Sequence, residues 1–188
     1  MALVLSALIS SRLGVSWTLK RAGDLAFLQD EKEQKVELGK LMRIIPVNAK
    51  DDKQSWLRAR RELLWLHDWG CPSRALSTPV QPVFASVSKD FIEGEFLKVL
   101  LSSSCCTLAS TIFENGTDRP LAAGKVQDAV FQSALTAFDN ASSLDRSQGG
   151  LKKCSEILHA LPELASSSLP RRVGWLIGAN VGSQYMDK

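Results

Sequence analysis

A chain of 188 residues, 45% apolar and 23% charged, has the length and the apolar content for a packed core, which excludes a wholly disordered protein. Lysine and arginine number 23 against 20 acidic residues, a formal charge of +3, too slight an excess to mark a nucleic-acid binder by charge alone. Two histidines and four irregularly spaced cysteines, Cys71, Cys105, Cys106 and Cys154, are scant material for a histidine-based hydrolase or a disulfide framework, and they read as reduced, mostly buried thiols.

Strand signals are almost absent, whereas helical periodicity predicts helices near residues 2–11, 17–28, 30–45, 51–68, 89–102, 104–114, 121–142, 148–160 and 172–186. The apolar opening from Met1 to Ser11 has no basic segment before it and is interrupted by Arg12, so it reads as neither a secretory signal nor a membrane span. From Asp51 to Trp69, residues Trp56, Leu57, Ala59, Leu63, Leu64 and Leu66 cover about half of the helix circumference, which implies packing against two neighbours. Asp51 and Asp52 supply capping carboxylates at its start, and Gly70 followed by Cys71-Pro72 ends it. Residues 72–88, with three prolines and four serines, read as a surface loop inside a single segment spanning residues 1–188. In the longest predicted helix, 121–142, one face carries Val126, Ala129, Val130, Ala134, Ala137, Phe138 and Ala141, and its alanines permit close helix approach. The next helix carries Leu151, Cys154, Ile157, Leu158 and Leu161 until Pro162 stops it. The expected fold is therefore all-α, with antiparallel helix pairs stacked into an irregular α-solenoid.

The chemical motifs mostly fail on inspection. Gly124-Lys125 is followed by Val126 and has Arg119 where a phosphate loop needs its first glycine. His67 and Cys71 are spaced like two zinc ligands without a visible third. The sequons at Asn115 and Asn140 matter only in a lumenal chain. Cys105-Cys106 has no basic neighbour to activate it and is expected to pack, and Glu93 with Glu95 is expected on a solvated face. Arg58, Arg60 and Arg61, with Trp56 and Trp65, form one basic and aromatic cluster, read first as core edge and solvated face, then as a protein-binding surface, and last as a nucleic-acid module. Arg60 and His67, seven apart on one helix face, are the only polar pair that would suit a helical enzyme or ligand-binding bundle. No metal or cofactor is expected.

Three stretches carry a family resemblance: Arg12-Leu13-Gly14 through Lys20-Arg21-Ala22-Gly23-Asp24, Trp56-Leu57-Arg58-Ala59-Arg60 through Trp65-Leu66-His67-Asp68-Trp69-Gly70, and Phe138-Asp139-Asn140-Ala141-Ser142 through Gly149-Gly150-Leu151-Lys152-Lys153. They resemble the endoplasmic-reticulum tether proteins called Sec thirty-nine in yeast and neuroblastoma-amplified sequence protein in animals, with the fungal members nearest. The resemblance covers residues 12–186 and implies a non-enzymatic scaffold subunit of a complex that serves Golgi-to-endoplasmic-reticulum retrograde vesicle transport. It implies other tether subunits and endoplasmic-reticulum fusion (SNARE) proteins as partners. The protein would lie at the cytoplasmic face of the endoplasmic reticulum, peripheral and held to the membrane through those partners, with no nucleic acid bound. Members of the family are several times longer, so residues 1–188 are expected to form part of a larger domain, with Met1 as a truncation point.

The third stretch departs from the family's asparagine-rich and arginine-rich loop at Leu144, Asp145 and Gln148. Its expected role is architectural: Asp145 or Ser147 caps the incoming helix, Gly149-Gly150 permits a tight approach, and Asp139 or Asn140 ties the loop to the helix end. The competing reading makes Arg146, Lys152 and Lys153 an exposed cationic docking site.

Overall fold

The computed structural model describes residues 1–50, 52–69, 81–115, 119–141 and 149–161. Among them the chain forms eight helices and no strand: α1 (Ala2–Arg12), α2 (Leu19–Leu28), α3 (Glu31–Ala49), α4 (Lys53–Asp68), α5 (Lys89–Ser102), α6 (Cys106–Phe113), α7 (Ala123–Asp139) and α8 (Gly149–His159). The ninth predicted helix, at 172–186, lies outside the described residues, as do Asp51, Gly70, Cys71 and Arg146. Two compact units divide the chain, Met1–Val99 and Leu100–Lys188.

In the first unit α1 packs on α2 and α3 on α4. Side-chain caps start three of these helices: Thr18 accepts from the Arg21 amide, Asp30 from Lys32 and Glu33, and Asp52 from Gln54 and Ser55. The Asp52 carboxyl is held below its ordinary value by the Ser55 hydroxyl first, and by the amides of Gln54 and Ser55. α3 does not stop before Pro46, as residue pattern alone predicts, but runs on to Ala49. Its last turn buries Ile45 and Ala49, and the Asn48 amide donates to the Leu13 carbonyl at 3.2 Å. These tertiary contacts offset the hydrogen bond that proline cannot make. Lys50 then turns the chain at φ 44°, and the indole of Trp56 donates to its carbonyl at 2.8 Å, fixing the turn into α4.

The second half of the expected surface loop is a correction. Residues 72–80 are outside the described set, but Val83, Phe84 and Val87 are fully buried. Phe84 meets Trp17 edge to face at 5.7 Å between ring centroids. A loop can be buried only if its backbone is satisfied, and here two glutamines do that. The Gln34 side chain is completely buried, accepts from the Ser86 amide at 3.1 Å and donates to the Leu25 carbonyl at 3.1 Å. Gln29 directs its amide to the carbonyls of Ala26 and Pro82, at 2.8 and 3.2 Å. The Phe84 amide donates to the carbonyl of Leu66 at 3.2 Å. The prolines and serines concealed a hydrophobic clasp.

In the second unit α7 lies against α8. The buried face of α7 consists of Val126, Ala129, Val130, Ser133, Ala134 and Ala137. Ser133 is tolerated there because its hydroxyl donates to the Ala129 carbonyl at 2.8 Å. Phe138, expected on that face, is 37% exposed instead. Gly150 explains how closely the two helices approach: a Cβ at that position would strike the Ala137 carbonyl oxygen and come within 2.7 Å of the Ala141 Cα.

Candidate functional site

On α4, the residues singled out by sequence fall into separate roles. Trp56 is 1% exposed and meets Phe96 edge to face at 6.0 Å, so it belongs to the core. The Arg60 guanidinium grips Glu93 with two hydrogen bonds, Nε to Oε2 at 2.8 Å and Nη2 to Oε1 at 2.5 Å. Glu93 is itself 1% exposed, which corrects its expected place on a solvated face. A planar fork around a buried carboxylate is the geometry in which arginine binds most strongly. Arg60 therefore clamps α4 to α5. Arg58 and Arg61 are exposed, and Arg58, two positions from Arg60, points to another side of the helix. The three arginines thus form no common stripe. His67 is half-buried in the last turn of α4.

At the α7–α8 corner, Asp139 and Asn140 are exposed, and the Asn140 amide donates to the Thr136 carbonyl one turn back at 2.8 Å. That bond closes the end of α7 locally. Gly149 opens α8 at φ 63°, in the left-handed region that glycine occupies without strain. Lys152 is exposed and lies 3.8 Å from Glu156, one turn on, while Lys153 is half-buried. Arg146, Asp145 and Ser147 lie outside the described residues. Burial raises the thiol pKa of Cys106, with Glu156 adding to the effect, and burial alone raises that of Cys154. Cys154 is buried as expected, whereas Cys105 and Cys106 are half-buried.

Two polar centres escaped the sequence reading. Glu37 on α3, 3% exposed, accepts from the Trp17 indole at 3.0 Å, from Arg21 at 2.8 and 3.2 Å, and from Lys40 at 2.8 Å. Burial pushes this carboxyl up, but the hydrogen bonds from Lys40, Arg21 and Trp17 outweigh it and hold the group below its ordinary value. Arg21, which also meets Glu33 at 2.7 Å, is raised in turn by Glu33 and Glu37. The second centre is Glu62 on α4, buried and ion-paired with Arg12 at the end of α1. It borders a pocket of about 210 Å³ between the ends of α1 and α3 and the first half of α4. Both acids were visible in principle by register. Glu62 follows Ala59 by three and precedes Leu66 by four, and Glu37 stands in the same way between Gln34 and Leu41, all four of those neighbours buried.

Among the described residues no group of histidine, cysteine, aspartate and glutamate is placed to hold a metal ion, and no helix is long and apolar enough to cross a membrane. The chain matches the family described as Secretory pathway protein Sec39 over residues 1–180. Comparison with curated proteins and with solved structures gives no match.

Proposed function

The chain belongs to the Sec39 family of secretory pathway proteins, and on that premise we propose that it is a scaffold subunit of an endoplasmic-reticulum tethering complex. The family match along nearly the whole chain is the observation that carries this reading. The all-helical fold supports it; in this reading the helix pairs stack as an irregular α-solenoid, in which surfaces rather than a catalytic centre do the work. The internal chemistry has the same character: Arg60 with Glu93, and Glu37 with its three donors, join one element to another. In this reading the complex serves Golgi-to-endoplasmic-reticulum retrograde transport. The protein sits at the cytoplasmic face of the endoplasmic reticulum and binds other tether subunits and SNARE proteins. It is not an enzyme.

The α7–α8 corner is then architectural, with Gly150 setting the helix approach. Affinity capture of the full-length protein from cells tests the function directly. Tether subunits and SNARE proteins should be recovered together, and their absence from a capture that retains the folded bait would refute the reading. The double variant Lys152→Glu, Lys153→Glu should capture the same set, because among the described residues Lys152 meets an exposed acid one turn away. Loss of partners in that variant at an unchanged melting temperature would make the corner the docking site instead.

A further inference from the structure

α1 is seated the opposite way round from an ordinary amphipathic helix. Its serines face inward: Ser6 accepts from the Trp69 indole at 3.3 Å and Ser10 from the Trp17 amide at 3.4 Å, both serines fully buried. Part of its apolar surface faces out, while Leu3, Ala7 and Ile9 are half-buried. Met1, Val4, Leu5 and Leu8 recur at the spacing of a single helix face and are all at least 42% exposed. A helix that buries two serines and leaves Val4, Leu5 and Leu8 in water carries an apolar ridge available to a partner.

The ridge also leads somewhere. Arg12, four residues beyond Leu8, lies on the same face and marks the rim of the pocket beside Glu62. Leu13, Ile45, Ala49 and Ala59 make the pocket's apolar wall. Arg58 stands at the same rim, exposed and without a hydrogen bond or ion pair among the described residues. The carboxylate of Asp52, its electrostatic neighbour, is committed to Ser55 and to the amides of Gln54 and Ser55. Arg12 keeps most of its five N–H donors, because its side chain is 61% exposed and, among the described residues, bonded toward Glu62 alone. An apolar ridge thus ends at two cations around a recess of mixed lining, with Asn48, Ser55 and Glu62 beside its apolar wall, large enough for one aliphatic side chain.

The geometry points to this surface as the binding site for an amphipathic, acidic segment of a partner protein. The segment's apolar side chains lie along Val4, Leu5 and Leu8, and a carboxylate at its end bridges Arg12 and Arg58. Charge complementarity selects this occupant: an acid satisfies the unpaired guanidinium of Arg58, whereas a basic or neutral segment leaves it unanswered. The inference rests on the scaffold reading only in taking a protein as the occupant.

Panning a phage-displayed library of random peptides, each about twelve residues long to match the length of α1, against the full chain provides the test. Peptides with aliphatic residues at helical spacing next to aspartate or glutamate should be enriched. In fluorescence anisotropy, Arg58→Glu should weaken the best of them about tenfold and Leu8→Ser about fivefold. Arg61→Glu, one turn from Arg58 but outside the pocket lining, should weaken binding clearly less than Arg58→Glu does. All three positions are exposed, and unchanged melting temperatures would exclude unfolding. No enrichment, enrichment of basic peptides, or equal losses in the Arg61 and Arg58 variants would overturn the proposal. So would ridge-dependent dimerisation or binding to phosphatidylserine vesicles in place of any peptide. If Arg58→Glu and Leu8→Ser still captured the secretory-pathway partners, the scaffold reading would survive and its surface would lie elsewhere.

Discussion

Arg60 and Glu93 show how a residue that sequence leaves open between core edge, binding surface and polar pocket takes a structural place in space. Their clamp encloses a carboxylate that has no water to turn to. Arg60→Ala should therefore destabilise the protein by about 3–5 kcal/mol, because it leaves a buried charge unpaired. Arg60→Met combined with Glu93→Leu should restore stability to near that of the parent, and urea unfolding of the three proteins checks both expectations. Glu37 makes a different statement, about pH. Its folded carboxyl titrates below the ordinary 4.5, so near that pH the unfolded chain binds the proton more readily. The stabilisation is complete above the unfolded value and is lost as pH falls through the lower, folded one. Thermal melts of the parent and of Glu37→Gln should differ most at neutral pH and converge in strong acid. A constant difference across that window would assign the effect of the substitution to packing.

At the scale of elements, segment 81–88 and the α7–α8 contact are the places where packing overrode local pattern. Phe84 is fully buried against Trp17, so Phe84→Ala should cost about 3–5 kcal/mol, a core-sized effect from a segment that reads as loop. A loss under about 1 kcal/mol in chemical denaturation would mean that the clasp is not part of the cooperative core. Gly150→Ala should destabilise by about 1–3 kcal/mol, because the added methyl meets the Ala137 carbonyl and the Ala141 backbone, neither of which can swing aside as a side chain would. Gly149→Ala, where nothing lies within 4 Å, should show only the smaller backbone penalty of its positive φ. Comparing the melting temperatures of the two variants separates crowding from conformation.

At the scale of the whole molecule, far-ultraviolet circular dichroism of the full chain should be dominated by helix, as the eight described helices require, and a spectrum richer in strand than helix would contradict the fold. Helix content and type were legible in the sequence because periodicity and caps are local: the stripe of Trp56, Ala59, Leu63 and Leu66, and the carboxylate of Asp52, act within a few residues of themselves. The family could be read from three stretches on the same ground, and the match over residues 1–180 agrees with it. What local pattern does not contain is the identity of a distant partner. Nothing near Glu93 announces Arg60, nothing in Pro82 to Val87 announces Gln29 and Gln34, and nothing in α1 says that Ser6 and Ser10 rather than Leu5 and Leu8 will face the core. Those outcomes depend on which surfaces meet once the helices have formed, so a residue type with good reasons to lie in water can be buried when a hydrogen-bonding partner arrives from another element. The sequence alone determined a helical protein of a secretory-pathway family, and tertiary packing decided which of its polar residues are internal clamps and which remain at the surface.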